Sequence, residues 1–179
     1  MHPLGQDPKS RLATLPGLKT RSDREFSRKK RVGIIGGSSP VPKHMHIAEE
    51  MGRLIAENGF VLVNGGLRGV MEASARGAKS GGGWTIGILP GNSAQEANAY
   101  TDIAVPTGLG YLRNALVVLN SDVLVAINGS YGTLSEIAYT QIYGKTVFGI
   151  ETWDIPGVIQ VATPQEALER IVAFFRQQK

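Results

Sequence analysis

The stretch Asn128-Gly129-Ser130-Tyr131-Gly132-Thr133-Leu134-Ser135-Glu136 decides the fold. Ahead of it runs Val123-Leu124-Val125-Ala126-Ile127, an unbroken apolar segment with the length of a buried strand. Behind it, Ile137-Ala138-Tyr139-Thr140-Gln141-Ile142-Tyr143 has helical spacing, so a helix is expected over 133–143. A strand, a small-residue turn and a helix N-terminus together make an anion cradle. The first N–H groups of a helix lack intrahelical partners, and its dipole adds positive potential. Glycine in the turn lets a phosphate reach the backbone with no Cβ in the way. A phosphate-bearing ligand is therefore expected at Asn128, Gly129, Ser130, Tyr131, Gly132 and Thr133.

The same alternation extends outward in both directions. Strands are expected at 31–35, 60–63, 85–89, 103–105, 145–150 and 158–161, and helices at 42–58, about 68–80 and about 111–120. The helix over 42–58 carries Ile47, Met51, Leu54 and Ile55 on one stripe and ends at Asn58-Gly59, a left-handed cap. Thr163-Pro164-Gln165-Glu166 is a capping box with proline at the first helical position, opening a helix to about 177. Residues 90–98 form a polar loop of lid length. Strands alternating with helices through short connections give an α/β, Rossmann-like three-layer fold, a mainly parallel sheet with helices on both faces.

A chain of 179 residues suits one domain, here expected over 31–179. No apolar run approaches the roughly 20 residues of a membrane span. There is no cysteine, which removes disulfides, thiolate metal sites and a cysteine nucleophile and fits a cytoplasmic setting. The net charge of +4 is unevenly placed: residues 1–31 hold nine Lys/Arg against three Asp/Glu, and 32–179 hold ten against twelve. The basicity thus belongs to an N-terminal arm over 1–30, expected to be flexible, and not to a nucleic-acid-binding face. That arm lacks the apolar segment of a secretory signal.

Glycine-rich or small turns stand at four expected strand ends: 36–39, 64–66, 89–91 and 128–132. In a parallel sheet these ends share one edge, so the turns can line one crevice. Gly36, Gly37 and Ser38 would border the ligand opposite the 128–132 turn, or form a plain tight turn. Gly65 and Gly66 stand at the next strand end, and Arg68 beside them is a further candidate for an anion. The first turn is not the G-x-G-x-x-G fingerprint, and Asn64 stands where a ribose-binding acid would be. Nor is there a G-x-x-x-x-G-K-[ST] loop. His44 and His46 point to different helix faces, so no metal site is expected there.

These residues resemble the Lonely Guy (LOG) family, whose members were often labelled "putative lysine decarboxylase". Its signature, PGGxGTxxE, is matched by Asn128 to Glu136, and Arg113 precedes Glu136 by the family's spacing. Gly65-Gly66-Leu67-Arg68-Gly69-Val70-Met71 and Gly87-Ile88-Leu89-Pro90 also fit. The signature's proline is Asn128, its second glycine is Ser130, and Asn114 stands where LOG enzymes have lysine. In these departures the chain looks like a side branch resembling the molybdenum cofactor carrier proteins.

The resemblance implies hydrolysis of a nucleoside 5′-monophosphate to free base and ribose 5-phosphate. Arg113 and Glu136 would work at the ribose, with no cofactor or metal required, in a homodimer or higher homo-oligomer. The alternative it implies is a protein that binds the molybdenum cofactor, a phosphorylated pterin, without turnover. Read without the resemblance, Thr133-Leu134-Ser135-Glu136 is equally a helix capping box, and Arg113 equally an ion-pairing arginine. Decarboxylation is not expected: past the arm only Lys43, Lys79, Lys145 and Lys179 remain, none in a Schiff-base motif.

Overall fold

The computed structural model describes residues 29–178, so the basic arm lies outside the described residues apart from its last two positions. Among the described residues seven strands form one sheet: β1 (Arg31–Gly36), β2 (Val61–Asn64), β3 (Thr85–Leu89), β4 (Ile103–Pro106), β5 (Val123–Ile127), β6 (Val147–Ile150) and β7 (Val158–Gln160). Their order is β4-β3-β2-β1-β5-β6-β7, and every neighbouring pair is parallel. The helices are α1 (Pro42–Glu57), α2 (Val70–Ser80), α3 (Asn114–Leu119), α4 (Tyr131–Ile142) and α5 (Pro164–Gln177).

The pleat sorts side chains between two cores. Val32 and Ile34 of β1, with Val123, Val125 and Ile127 of β5, pack under α1, α2 and α5 through Met51, Ile55, Ala73 and Ile171. Ile35, Leu124 and Ala126 face the other way, against Val117, Val118 and Ile137 of α3 and α4. Strands sandwiched on both faces need apolar residues at every position, which is why β5 reads as an unbroken run. The expected α/β architecture is the observed one.

Three local differences bear on function. α4 begins at Tyr131, two residues before the expected start, with Ser130 as an N-cap whose side chain makes no capping bond. The capping box that was the alternative reading of Thr133 to Glu136 is therefore not formed. The segment expected as a helix from 111 is a 3-10 turn over Gly110–Arg113 followed by α3, so Arg113 sits at the joint. The 90–98 loop contains a 3-10 turn, Ala94–Glu96, with its own capping box from Ser93 and Glu96. The Asn58-Gly59 cap and the Thr163 cap of α5 are as expected, with Gly59 at φ 75° and Thr163 Oγ1 accepting from Glu166 N.

Candidate functional site

The strand order runs outward in opposite directions from β1 and β5, and at such a switch point the carboxyl ends of the strands diverge to leave a crevice. A cleft of about 500 Å³ opens there. Gly36, Gly37 and Ser38 from the end of β1 line one side, and Ser130, Tyr131, Gly132 and Thr133 from the start of α4 line the other. Gly65 and Leu67, after β2, and Arg113 and Glu136 complete it together with Tyr111, Asn114, Met71 and Ser135.

The α4 end of the cleft offers donors that an anion could take up. Gly129 holds φ 125°, which takes the chain sharply out of β5, and Ser130 is extended, so the helix starts at once. With no cap side chain, the N–H groups of Tyr131, Gly132 and Thr133 stay available, and the helix ladder begins with Leu134 N donating to Ser130 O. Thr133 is 2% exposed, and its buried Oγ1 has no hydrogen-bond partner. An orphaned buried hydroxyl is uncommon in a settled core and fits a ligand position.

Because α4 starts at Tyr131, Glu136 falls in the second turn and points inward, 6% exposed. Its Oε1 lies 3.7 Å from Arg113 Nη1, an ion pair without a hydrogen bond. Burial pushes the Glu136 carboxyl up to about 8, with the Arg113 charge pulling weakly the other way. Burial likewise lowers the basicity of Arg113, against the charge of Glu136 and, less, Tyr111. Desolvation therefore outweighs attraction on both partners, as expected for a buried pair that lacks close contact.

Arg113 is held from elsewhere. Its Nη1 donates to Asn114 Oδ1 at 2.6 Å and its Nη2 to Gly65 O at 3.4 Å, while Nε is buried without a partner. A Cβ on Gly65 would lie 2.5 Å from Arg113 Nη2 and 2.7 Å from Met71 Sδ, so the guanidinium needs glycine there. Asn114 Nδ2 reaches Ser135 Oγ at 2.9 Å and Gly132 O at 3.3 Å, tying the arginine to the start of α4.

The remaining sequence candidates stand outside the cleft lining. Gly66 is buried beneath Leu89, and its N–H donates to Asn64 Oδ1. Arg68 is exposed on a neighbouring groove that shares Ser38 and Leu67 with the cleft. Asn128 sends its side chain to His44, and Gly129 packs on Thr133. The 89–91 turn sits two strands from the switch point, where Gly91 packs on Glu96. Tyr111 and Ser135 were not anticipated. Ser135 could have been read from its place one residue before Glu136, but nothing in the spacing marks Tyr111, which is 88% exposed at the cleft.

Comparison with known proteins places this geometry. An uncharacterized protein of Archaeoglobus fulgidus is 43% identical over 143 residues, 79% of this chain and 94% of its own length. A probable cytokinin riboside 5′-monophosphate phosphoribohydrolase of rice is 32% identical over 116 residues, 62% of this chain and 47% of the rice protein. Among solved structures, the molybdenum cofactor binding protein of Rippkaea orientalis superposes with a TM-score of 0.79 at 36% identity, covering 83% of this chain and 98% of that one. The family model of SLOG cluster4 matches residues 29–176, and the chain belongs to the SLOG cluster4 family.

Proposed function

We propose that the cleft binds a nucleoside 5′-monophosphate and hydrolyses its N-glycosidic bond, releasing free base and ribose 5-phosphate. The phosphate rests on the N–H groups of residues 131–133 and the Thr133 hydroxyl, with the ribose toward Glu136 and Arg113. The observation that carries the reading is Glu136. A buried carboxyl with no hydrogen bond to hold it, raised to about 8 and facing a cleft, contributes little to stability and is suited to proton transfer. In its ionised form it orients a water and takes a proton as the water oxygen bonds to C1′. The C1′–N bond breaks, its electron pair leaves with the base, and the base is protonated from solvent. The same carboxylate opposes the positive charge that develops on the ribose. Relatives named as phosphoribohydrolases support the reaction class.

The test is ribose 5-phosphate release from a panel of nucleoside monophosphates by the protein and by Glu136→Ala. Release that disappears in the variant supports hydrolysis. Silence across the panel from a folded, AMP-binding protein overturns it.

A second reading is favoured by Asn114 and by the Rippkaea orientalis likeness: a site that holds a phosphorylated pterin, the molybdenum cofactor, without turnover. Asn114 Oδ1 already accepts from Arg113 Nη1, the nitrogen that stands nearest Glu136, as in an arginine held for structure. Molybdenum copurifying with the protein would support this reading. In either case a homodimer is proposed, with exposed Leu112, Ile142 and Tyr143 as candidates for burial, tested by sedimentation.

A further inference from the structure

Two non-glycine residues among those described have a left-handed backbone, Asn128 at φ 49° and Glu151 at φ 48°. They follow the adjacent strands β5 and β6, and one imidazole joins their side chains. His44 Nδ1 lies 3.0 Å from Asn128 Nδ2, and His44 Nε2 lies 3.0 Å from Glu151 Oε2. Lys43 also pairs with Glu151. Both basic residues belong to the first turn of α1, where Pro42 sets the helix start. The amide of Asn128 donates, so His44 Nδ1 accepts and the Nε2 hydrogen goes to Glu151. The backbone of Asn128 has two partners of its own, its N–H donating to Ile150 O at 3.1 Å and its carbonyl accepting from Thr152 Oγ1 at 2.6 Å. These tie the end of β5 to β6 and leave the side chain to His44.

The signature resembled by this chain has proline where Asn128 stands. Proline fixes its own φ near −65°, which the 49° observed here excludes. An asparagine tolerates the left-handed region, but its backbone is not locked there by its own covalent structure. The bonds to Ile150 and Thr152 restrain its backbone, and the side-chain contact with His44 adds a third restraint on the turn that leads to Gly129 and to the first N–H groups of α4.

We propose that His44 is a positioning residue for the anion cradle, clipping Asn128 to Glu151 so that the 129–133 turn stays open to a phosphate. This rests on the proposal that the turn binds phosphate. His44 lies outside the cleft lining and acts through Asn128.

The experiment compares the protein with His44→Ala, Asn128→Gly and the double variant, titrating AMP, inorganic phosphate and adenosine and following backbone amides by NMR. Each single variant should weaken AMP and phosphate about tenfold and leave adenosine unchanged, because only the phosphate contacts depend on the clip. The double variant should be no weaker than the worse single one, since both remove one link. A general loss of structure would instead weaken adenosine too. Unchanged phosphate affinity in His44→Ala, or losses that multiply in the double variant, overturns the proposal. Should the parent protein bind neither AMP nor phosphate, the functional reading fails, and the clip is judged on the amides alone. His44→Ala and Asn128→Gly must then shift the same resonances over 129–133; shifts confined to α1 overturn the clip.

Discussion

Arg113 Nη1 stands 3.7 Å from Glu136 Oε1, near enough for each charge to act on the other and too far for a shared hydrogen bond. The guanidinium is anchored instead to Gly65 O and Asn114 Oδ1, on a different wall of the cleft from α4. The gap between the two groups is therefore fixed by the scaffold.

Removing the arginine should leave the carboxyl buried with no opposing charge. In Arg113→Met the Glu136 pKa is expected to rise beyond its already elevated position, because the one influence lowering it is gone. Carboxyl-carbon NMR across a pH titration reads this directly. Turnover should fall by about 10²–10³, the usual loss when a charge stabilising a transition state is deleted. An unmoved titration would mean the two groups are not coupled.

Gly65→Ala tests the seat of the guanidinium. The added methyl meets Arg113 Nη2 and Met71 Sδ, both ends of flexible side chains, so the fold yields at a cost of about 1–2 kcal/mol. The arginine must move, and activity should drop far more than stability does. Thermal melts and turnover measured on one preparation compare the two losses.

The strands and the parallel sheet were legible because a strand covered on both faces must be apolar at every position, as Val123–Ile127 is. Gly36, Ser38 and the 130–133 turn were legible because small-residue turns recur at several strand ends that a parallel sheet brings to one edge. The direction in which Glu136 points was not. Its Thr133-x-x-Glu136 spacing also fits a cap, and what excludes the cap is the tight exit at Gly129, which starts α4 two residues early. The partners of Arg113 were hidden for different reasons. Gly65 O is 48 residues away and meets it through tertiary packing, while Asn114 is its chain neighbour, and the sequence does not say which way the Arg113 and Asn114 side chains turn. The contact of Asn128 with His44, 84 residues distant, is one that no local pattern foretells.

Thr133→Val separates ligand binding from folding. The substitution nearly preserves shape and removes a buried hydroxyl that has no hydrogen-bond partner within the protein. Losing an unsatisfied polar group should leave stability unchanged or improve it by about 1 kcal/mol. Affinity for AMP should nevertheless fall roughly tenfold, as one hydrogen bond to a charged phosphate disappears. Calorimetric binding and urea denaturation test both halves. A variant that is destabilised but binds normally would make the hydroxyl a structural group.

Glu136 also links stability and activity through one titration, with opposite signs. Its folded pKa, about 8, lies above the 4.5 of the unfolded chain, so the folded state binds the proton more tightly. The stabilisation that the protonated carboxyl permits is complete below about pH 4.5 and is lost as pH rises through about 8. In the proposed hydrolysis the carboxyl acts in its ionised form, so kcat/KM should climb about tenfold per pH unit over the same interval and level off above 8. Glu136→Gln imitates the protonated group. It should match the parent in stability at pH 5, exceed it at pH 9 by on the order of 3 kcal/mol, and show no turnover at either pH. Urea denaturation at the two pH values, set beside a pH–rate profile, checks all of this. If the glutamine variant is instead the less stable protein at pH 9, attraction to Arg113 dominates over burial, and Glu136 is an ordinary member of a structural ion pair.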